Sequence, residues 1–249
     1  MRLKDKVAII TGAAGGMGRR TVERFLEEGG LVAAVDLSSD ALGVLGEDER
    51  ILKIEADITK EEDVNGVVER AVRHYGRVDT LVNIAGIAQS ATAIEEVTVE
   101  MWDRLLSVNT KSLFLTSKAV VPTMKKQGKG AIINIASISA VRPRPGLNAY
   151  ITSKGAALAF TQALAIELAA YNIRVNAINP GPADTGMLAQ FVAKDVDVDE
   201  AKETIFKKSV PLGELIHPND IANAIVYLAS EEASKVTGAI FNIDGGRGL

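Results

Sequence analysis

Short apolar segments of strand length alternate with longer amphipathic segments along most of this 249-residue chain. The alternation predicts an α/β fold with about seven strands in a doubly wound parallel sheet and helices on both of its faces. Neither a low-complexity linker nor an internal repeat interrupts it, so we expect residues 1–249 to form a single domain. The predicted strands are residues 6–11, 31–35, 51–56, 80–84, 131–136, 173–178 and 239–243.

A glycine-rich turn follows the first predicted strand directly. Its pattern is Thr11-Gly12-x-x-x-Gly16-x-Gly18, and apolar residues then recur at helical spacing to about residue 28. A helix that begins in such a turn presents free backbone N–H groups to a diphosphate, and glycine leaves the approach clear of side chains. The pattern therefore predicts a dinucleotide site. Its spacing differs from the common G-x-G-x-x-G, and a tight turn without a ligand is the alternative explanation.

Asp36 follows the second predicted strand, 20 residues after Gly16. A carboxylate at this place can accept hydrogen bonds from both hydroxyls of an adenosine ribose, and its charge repels a 2′-phosphate. Because Leu37, Ser38 and Ser39 carry no positive charge, the sequence favours NAD over NADP as the cofactor. The alternative is a solvated aspartate at a strand end.

Three side chains suited to proton transfer lie close together in the second half of the chain. Ser137 precedes Tyr150 by 13 residues, and Lys154 follows Tyr150 by four within a predicted helix over residues 148–171. Residues four apart share a helix face, and an ammonium near a phenol favours the phenolate, so Lys154 is placed to lower the pKa of Tyr150. A Tyr-x-x-x-Lys pair also arises by chance. It indicates a catalytic site here only in combination with the nucleotide site predicted upstream.

The composition argues against several other classes of protein. No cysteine is present, and the two histidines, His74 and His217, are too far apart in sequence to suggest a metal site, so we interpret each as a helix-end residue. A net charge of −4 without a basic block argues against nucleic acid as a partner. No signal peptide, membrane span or membrane partner is predicted, and a cytoplasmic location is therefore expected.

The candidate residues fall where ligands bind in a doubly wound sheet. In such folds the binding crevice lies outside the carboxyl ends of the strands. The residues at or just after the predicted strand ends are Gly12 to Gly18, Asp36, Asp57, Asn83 to Gly86, Ser137 and Pro180-Gly181. This coincidence predicts one site at one edge of the sheet.

These motifs give the chain a resemblance to the short-chain dehydrogenase/reductase family over essentially its full length. The matching residues, in order, are Thr11-Gly12-x-x-x-Gly16-x-Gly18, Asn83-Ile84-Ala85-Gly86, Asn109, Ser137, Tyr150-x-x-x-Lys154 and Pro180-Gly181-x-x-x-Thr185. The resemblance implies a Rossmann-type fold. It also implies an enzyme that transfers a hydride between NAD and a secondary alcohol or ketone, like the 3-oxoacyl-carrier-protein reductases and NAD-dependent alcohol dehydrogenases of the family.

The resemblance implies a role for each site residue. Tyr150 is the general acid/base, and Ser137 orients and polarises the reacting oxygen. Lys154 lowers the pKa of Tyr150 and binds the nicotinamide ribose, while Asn109 holds a water that links Lys154 to solvent. Asp57 contacts the adenine, and Thr185 contacts the nicotinamide carboxamide. The implied cofactor-binding residues are Gly12, Gly16, Met17, Gly18, Asp36, Asp57, Ile58, Asn83, Ala85, Gly86, Tyr150, Lys154, Pro180, Gly181 and Thr185.

Two positions depart from the family pattern. Ile84 stands where the family usually has a second asparagine, and we interpret it as a variation in packing. Pro182 and Ala183 follow Gly181 in place of a β-branched residue at the second position. Because proline fixes its φ and donates no backbone hydrogen bond, we expect the border between nicotinamide and substrate to have a different shape.

The substrate is less constrained than the cofactor. The resemblance implies a mobile lid over residues 186–215, whose apolar residues are predicted either to close over an apolar substrate or to hold the lid to the core. These residues are Met187, Leu188, Phe191, Val192 and Phe206. Arg142 and Arg144 lie between Ser137 and Tyr150, where they can reach an anionic group on a substrate or serve a subunit contact.

Two alternatives to an NAD-dependent alcohol dehydrogenase stay open. One is a 3-oxoacyl-thioester reductase that uses NADPH, against which Asp36 argues. The other is a nucleotide-sensing module without turnover, against which the complete acid/base set argues. The resemblance also suggests a homotetramer built from helices over residues 100–127 and 148–171, with residues 242–246 in a second contact.

Overall fold

The seven strands of this computed structural model form one parallel sheet within the residues that it describes, which are 1–191 and 198–249. They are β1 (Val7–Thr11), β2 (Leu31–Asp36), β3 (Ile51–Glu55), β4 (Thr80–Asn83), β5 (Gly130–Ile135), β6 (Ile173–Pro180) and β7 (Ile240–Ile243). Their order across the sheet is β3-β2-β1-β4-β5-β6-β7. The predicted strands are confirmed to within two residues at each end.

Helices connect the strands. They are α1 (Gly16–Glu27), α2 (Glu61–Tyr75), α3 (Val99–Leu106), α4 (Ser112–Gln127), α5 (Asn148–Leu168), α6 (Val198–Ala201) and α7 (Pro218–Ala229). Short 3-10 turns cover Ala41–Leu45, Ile94–Glu96, Ile138–Ala140, Ala169–Tyr171, Leu188–Phe191, Lys207–Ser209 and Glu231–Ala233. Two π-helical turns cover Ser107–Lys111 and Lys202–Phe206.

Each face of the sheet buries its own apolar core. On one face, Phe25 of α1 and Ile225 of α7 pack against strand residues such as Ile10. On the other, Val67 of α2 and Val120 of α4 pack against residues such as Ile9. Alternate residues of one strand thus enter opposite cores, which explains why β1 is buried at every position. The predicted doubly wound sheet with helices on both faces is confirmed.

The strand order reverses between β1 and β4. From β1 the chain builds outward through β2 and β3, and it then returns to place β4 on the other side of β1. The connections leave the two strands in opposite directions, so a crevice opens beyond their carboxyl ends. The glycine turn after Thr11 and the segment after Asn83 line this crevice.

Buried polar side chains join the central strands below the crevice. Asn83 Nδ2 donates to Asn134 Oδ1 at 2.9 Å, and Asn134 Nδ2 donates to Thr161 Oγ1 at 2.9 Å. Thr116 Oγ1 donates to Asn83 Oδ1 at 2.9 Å. The neighbouring Ile84 is buried among apolar residues, which supports its interpretation as a packing variation.

The two histidines lie at helix ends, as predicted. His74 is in the last turn of α2. His217 is the N-cap of α7, where Nδ1 accepts a hydrogen bond from the N–H of Asn219 and Asp220 accepts one from the N–H of His217. Within the described residues, no group of three or more His, Asp or Glu side chains is placed to hold a metal ion. None of the helices described here has the length and apolar character needed to cross a membrane.

Candidate active site

A groove runs along the carboxyl edge of the sheet, with an empty volume of about 1410 Å³, part of it open to solvent. It extends from the glycine turn past Asp36 and Asp57 to Gly86, and Thr185 lies on its opposite wall. The predicted cofactor residues that line it are Gly12, Gly16, Met17, Gly18, Asp36, Asp57, Ile58, Ala85, Gly86 and Thr185. The structure therefore brings ten of these predicted residues into one continuous space.

The glycine turn is shaped by close backbone approaches. Gly12 has a φ of +67°, and a Cβ there would lie 2.8 Å from the Cα of Ala85. A Cβ on Gly18 would overlap the carbonyl oxygen of Gly12. Gly16 faces Thr185, whose Cγ2 a Cβ would meet at 3.0 Å. Gly16 can therefore approach Thr185, and Gly18 the glycine turn, only because neither residue has a side chain.

The amino end of α1 fits a diphosphate. The helix begins after Gly15 without a side-chain cap, and its first turn contains no acidic residue. The first N–H groups of an α-helix have no acceptor within the helix, and the helix dipole makes this end attractive to anions. The residues present therefore fit the phosphate portion of a dinucleotide.

Asp36 is fixed beside the glycine turn. Its Oδ2 accepts a hydrogen bond from the N–H of Ala14 at 3.0 Å, and its Oδ1 accepts one from the N–H of Leu37 at 2.8 Å. These bonds leave lone pairs on both oxygens for hydroxyl donors. The Leu37 side chain is 68% exposed and uncharged, so the position after Asp36 offers no cation to a phosphate.

Asp57 and Ile58 form the wall beyond Asp36. Asp57 Oδ1 accepts hydrogen bonds from the N–H and the hydroxyl of Thr59, which lower the pKa of Asp57. The carboxylate is thereby held at the groove in its ionised form. Its predicted contact with adenine stays a prediction.

Tyr150 and Ser137 meet at the floor of a second cavity. Both residues line this cavity, and the tyrosine is only 5% exposed. Burial raises the pKa of Tyr150, while the nearby Ser137 hydroxyl and the Arg144 charge lower it. Ser137 Oγ also accepts a hydrogen bond from the N–H of Ser139 at 3.1 Å, which fixes its orientation after β5.

Lys154 is buried one helical turn after Tyr150. Its Nζ lies 6.0 Å from the centre of the Tyr150 ring and donates to the carbonyl oxygen of Ile135 at 2.9 Å. Burial lowers the pKa of Lys154 to about 8. The expected lowering of the Tyr150 pKa by Lys154 stays a prediction.

Asn109 lies on the other side of Lys154, in the π-helical turn between α3 and α4. Its side chain exchanges two hydrogen bonds with the backbone of Ile87 and donates a third to Ser153 Oγ at 3.0 Å. Gly86 lies beside both Asn109 and Lys154, since a Cβ there would lie 3.1 Å from Asn109 Oδ1 and 3.3 Å from Lys154 Nζ. The structure thus brings together the four predicted catalytic residues. The water expected at Asn109 stays a prediction.

Gln89 is a site residue that the sequence did not indicate. It is 2% exposed, and its Oε1 accepts a hydrogen bond from the N–H of Tyr150 at 2.9 Å. Its Nε2 is buried and has no hydrogen-bond partner among the described residues. A lone glutamine in a loop belongs to no spacing pattern, so no sequence signal pointed to it.

The cavity above Ser137 and Tyr150 has an empty volume of about 590 Å³, part of it open to solvent. Met187, Leu188, Phe191 and Phe206 of the predicted lid line it, together with Pro182, whose carbonyl oxygen accepts a hydrogen bond from the N–H of Ile216. Val192, also assigned to the lid, lies outside the described residues. Met17 and Thr185 line both this cavity and the groove, so the two spaces are adjacent.

The two loop arginines have different positions. Arg144 lines the cavity, and its Cζ lies 5.4 Å from the ring centres of both Phe191 and Phe206. Arg142 is exposed and does not line the cavity; one of its Nη atoms donates to the backbone oxygen of Arg247. The side chain of Arg247 lines the cavity as well, although no sequence pattern pointed to it.

Five of the predicted cofactor residues do not line the groove. Tyr150, Pro180 and Gly181 line the cavity instead. The Lys154 and Asn83 side chains are buried in the interior, where they are held by the hydrogen bonds described above. Gly181 has a structural requirement of its own, because a Cβ there would lie 2.8 Å from the Cα of Asp244.

Comparisons with known proteins agree with this geometry. The sequence model of the family described as enoyl-(acyl carrier protein) reductase matches residues 12–247. The 3-oxoacyl-[acyl-carrier-protein] reductase FabG of Thermotoga maritima is 39% identical and covers 99% of each chain. The 4-formylbenzenesulfonate dehydrogenase of Comamonas testosteroni is 35% identical and covers 100% of each. A solved 3-ketoacyl-(acyl-carrier-protein) reductase from Brucella melitensis, complexed with NADH, has a TM-score of 0.92, 38% identity and 99% coverage of each chain.

Proposed function

The chain belongs to the short-chain dehydrogenase/reductase family of oxidoreductases, and we propose that it transfers a hydride between NAD and a secondary alcohol or ketone with Tyr150 as the general acid/base. One observation carries the proposal. Tyr150 and Ser137 together line a cavity that adjoins the nucleotide groove at Met17 and Thr185. A substrate oxygen bound at Tyr150 would therefore bring its carbon towards that groove.

The groove holds a nicotinamide dinucleotide through the chain's own residues. The glycine turn and the N–H groups of α1 receive the diphosphate, and Asp36 receives the adenosine ribose hydroxyls. When bound, the nicotinamide ring accepts a hydride from an alcohol or supplies one to a ketone. The preference for NAD rests on the fixed carboxylate of Asp36 and the uncharged Leu37.

The protein's part in the reaction is to orient the substrate and to move a proton. Ser137 Oγ accepts a hydrogen bond from the N–H of Ser139, so the Ser137 hydroxyl hydrogen is available to the substrate oxygen. Tyr150 takes the proton in alcohol oxidation and returns it in ketone reduction. Lys154 and Asn109, both beside Gly86, form the expected route by which that proton exchanges with solvent.

A 3-oxoacyl-thioester reductase is the second candidate function. The 39% identity to the reductase of Thermotoga maritima favours it. The usual NADPH of such enzymes would place a phosphate beside Asp36, which is unfavourable, whereas the related Brucella melitensis structure is complexed with NADH. Turnover of an acyl-carrier-protein thioester, measured with NADH and with NADPH, distinguishes the two functions.

Three further properties belong to the proposal. Residues 1–249 act as a single nucleotide-binding domain, and residues 186–215 act as its lid. The enzyme is cytoplasmic. It assembles as a homotetramer, which is supported by the exposed Phe114 on α4 and Ile166 on α5, 49% and 83% accessible respectively. Light scattering at micromolar concentration tests the assembly, and a monomer would contradict it.

The test of the function is the absorbance of NADH formed from NAD with pools of secondary alcohols, polyols and hydroxy acids, repeated with NADP. We expect Tyr150→Phe to retain NADH binding and to lose about two to four orders of magnitude in turnover. Tyr171→Phe is the matched control, because Tyr171 is 43% exposed and stacks with Lys125 outside both the groove and the cavity. Near-normal turnover in Tyr150→Phe would refute the assignment.

A further inference from the structure

Arg144 and Arg247 bring two positive charges to the cavity that contains Tyr150. Each guanidinium carries about five N–H donors and stays charged at every physiological pH. Neither side chain makes a hydrogen bond or an ion pair with any residue in the ranges 1–191 and 198–249. Partly buried arginines normally satisfy their donors with carboxylates or carbonyl oxygens, so this pair requires an explanation.

Arg174 shows how the same chain satisfies a structural arginine. Burial lowers the pKa of Arg174 as it does that of Arg144. The guanidinium of Arg174, however, donates to the backbone oxygens of Leu228, Ser230 and Val236 at 2.6 to 3.4 Å. The structural Arg174 therefore uses its N–H donors in hydrogen bonds to the backbone, whereas the N–H donors of Arg144 face the cavity.

Aromatic rings hold Arg144 in place without using its donors. Phe191 and Phe206 each lie 5.4 Å from its Cζ, which offsets part of the cost of removing the charge from water. An aromatic ring contains no oxygen acceptor, so the N–H groups remain available to a ligand. The arrangement fixes the guanidinium and leaves its hydrogen-bonding capacity free.

Arg247 is positioned by the turn at the end of β7. Asp244 Oδ1 accepts a hydrogen bond from the N–H of Gly246, and its Oδ2 accepts one from the N–H of Gly248 at 2.7 Å. Asp244 is thus occupied by the backbone, and it attracts Arg247 without forming an ion pair. Burial lowers the pKa of Arg144, and the nearby charge of Arg247 lowers it further. A bound anion would relieve that repulsion.

We propose that Arg144 and Arg247 form an anion-binding subsite, and that the substrate is an alcohol or ketone carrying a carboxylate or sulfonate group. The inference rests on the proposed function. Ser137 and Tyr150 receive the reacting oxygen, Met187 and Leu188 contact an apolar middle portion, and the two guanidiniums receive the oxyanion. Arginine is suited to this role because its planar fork matches the geometry of such anions.

Steady-state kinetics with NADH and matched carbonyl substrates test the proposal. The probes are acetoacetate, levulinate and their methyl esters, which differ from the acids mainly in charge. The wild-type enzyme is expected to favour the acids in kcat/KM by at least about tenfold. Arg144→Gln and Arg247→Gln each reduce this ratio by about tenfold, whereas the exposed Arg73→Gln leaves it unchanged.

The ratio of kcat/KM for an acid to that for its ester distinguishes recognition of the anionic group from other effects of Arg144. If Arg144 served only to hold Phe191 and Phe206, or to lower the pKa of Tyr150, its loss would change the acid and the ester equally. A wild-type ratio near one, or a ratio unchanged in both variants, would overturn the subsite. In that case turnover of the esters alone would leave the proposed function standing.

A binding measurement tests the anion-binding subsite even if the proposed function is wrong. If none of the four probes is reduced, isothermal titration of pentanoate into the protein with NAD tests the subsite without turnover. Binding that weakens at least about tenfold in Arg144→Gln and Arg247→Gln, but not in Arg73→Gln, supports the subsite. Absence of pentanoate binding, or equal binding to all the proteins, would overturn it.

Discussion

Gln89 Oε1 accepts a hydrogen bond from the backbone N–H of Tyr150 at an N–O distance of 2.9 Å. Tyr150 lies in the first turn of α5, where backbone N–H groups have no acceptor within the helix. The loop after β4 therefore supplies an external cap at the residue that carries the proposed catalytic phenol. A side chain outside the proposed catalytic set thus helps to fix the position of Tyr150.

We expect Gln89→Met to reduce both stability and turnover. Methionine has a similar length but no strong acceptor, so the buried N–H of Tyr150 loses its partner, at a cost of about 1–3 kcal/mol in the free energy of unfolding. Because α5 can then shift at its start, kcat is expected to fall about tenfold with little change in the Kd for NADH. Urea unfolding and steady-state kinetics measure the two effects.

Gln127→Met is the matched control for Gln89→Met. Gln127 also holds a backbone N–H, that of Val78 at 3.1 Å, but it lies at the end of α4 away from both the groove and the cavity. We expect Gln127→Met to destabilise the protein by a similar amount and to leave kcat unchanged. Equal losses of kcat in the two variants would show that Gln89 acts only through stability.

Gly18→Ala is expected to abolish NADH binding and to destabilise the protein. The added methyl group would overlap the carbonyl oxygen of Gly12, so α1 must move away from the turn, at a cost of about 3 kcal/mol. Gly15→Ala is the control, since a Cβ there would meet only Gly12 O at an ordinary 3.5 Å. Thermal unfolding compares the two variants, and equal melting temperatures would contradict the model of the turn.

Asp36→Ala is expected to relax the choice of cofactor. Loss of the carboxylate removes charge-assisted hydrogen bonds to the ribose, so NADH should bind about 10- to 100-fold more weakly, while NADPH gains through loss of repulsion. Asp40→Ala removes the same charge from an exposed position that makes no side-chain cap. Titration of both nucleotides against each variant tests this, and tight NADPH binding by the unmodified protein would contradict our interpretation of Asp36.

The sequence predicted the parts of the molecule that depend on local patterns. Strands buried on both faces are continuous apolar segments, which is why all seven were located. β6 extends to Pro180, beyond its predicted end, because Asn179 and Pro180 pair with Asn242 and Ile243 of β7. That pairing joins segments distant in sequence, so no local sequence pattern predicts the extension of β6.

The residues that the sequence missed are those brought to the site by tertiary contacts. Arg247 reaches the cavity because β7 lies beside β6 and the following turn is held by Asp244. Gln89 reaches Tyr150 because α5 begins beside the loop after β4. Arg144 was suggested by its position in the chain, but only the structure distinguishes it from Arg142. Functional residues at strand ends can be predicted from the local sequence, whereas residues that distant loops bring to the same site cannot.

Lys154→Met is expected to change the pH dependence of stability. The pKa of Lys154 is about 8 in the folded protein, below the ordinary 10.5 of an exposed lysine, because burial disfavours the ammonium. Between these pH values the unfolded chain binds more protons than the folded chain, so the contribution of Lys154 to the free energy of unfolding rises with pH. Below pH 8 the folded state carries the full cost of the buried charge, about 3 kcal/mol.

Removing the amine removes this cost together with the hydrogen bond to Ile135, which contributes about 1 kcal/mol. The Lys154→Met variant should therefore be more stable than the parent by about 2 kcal/mol at pH 7 in the absence of cofactor, and the advantage should disappear as the pH approaches 10.5. Urea unfolding of both proteins at intervals across this range measures the difference. Lys4→Met, at an exposed position, controls for the general loss of a positive charge. A difference that stays constant from pH 7 to pH 10.5 would show that burial of Lys154 does not lower its pKa.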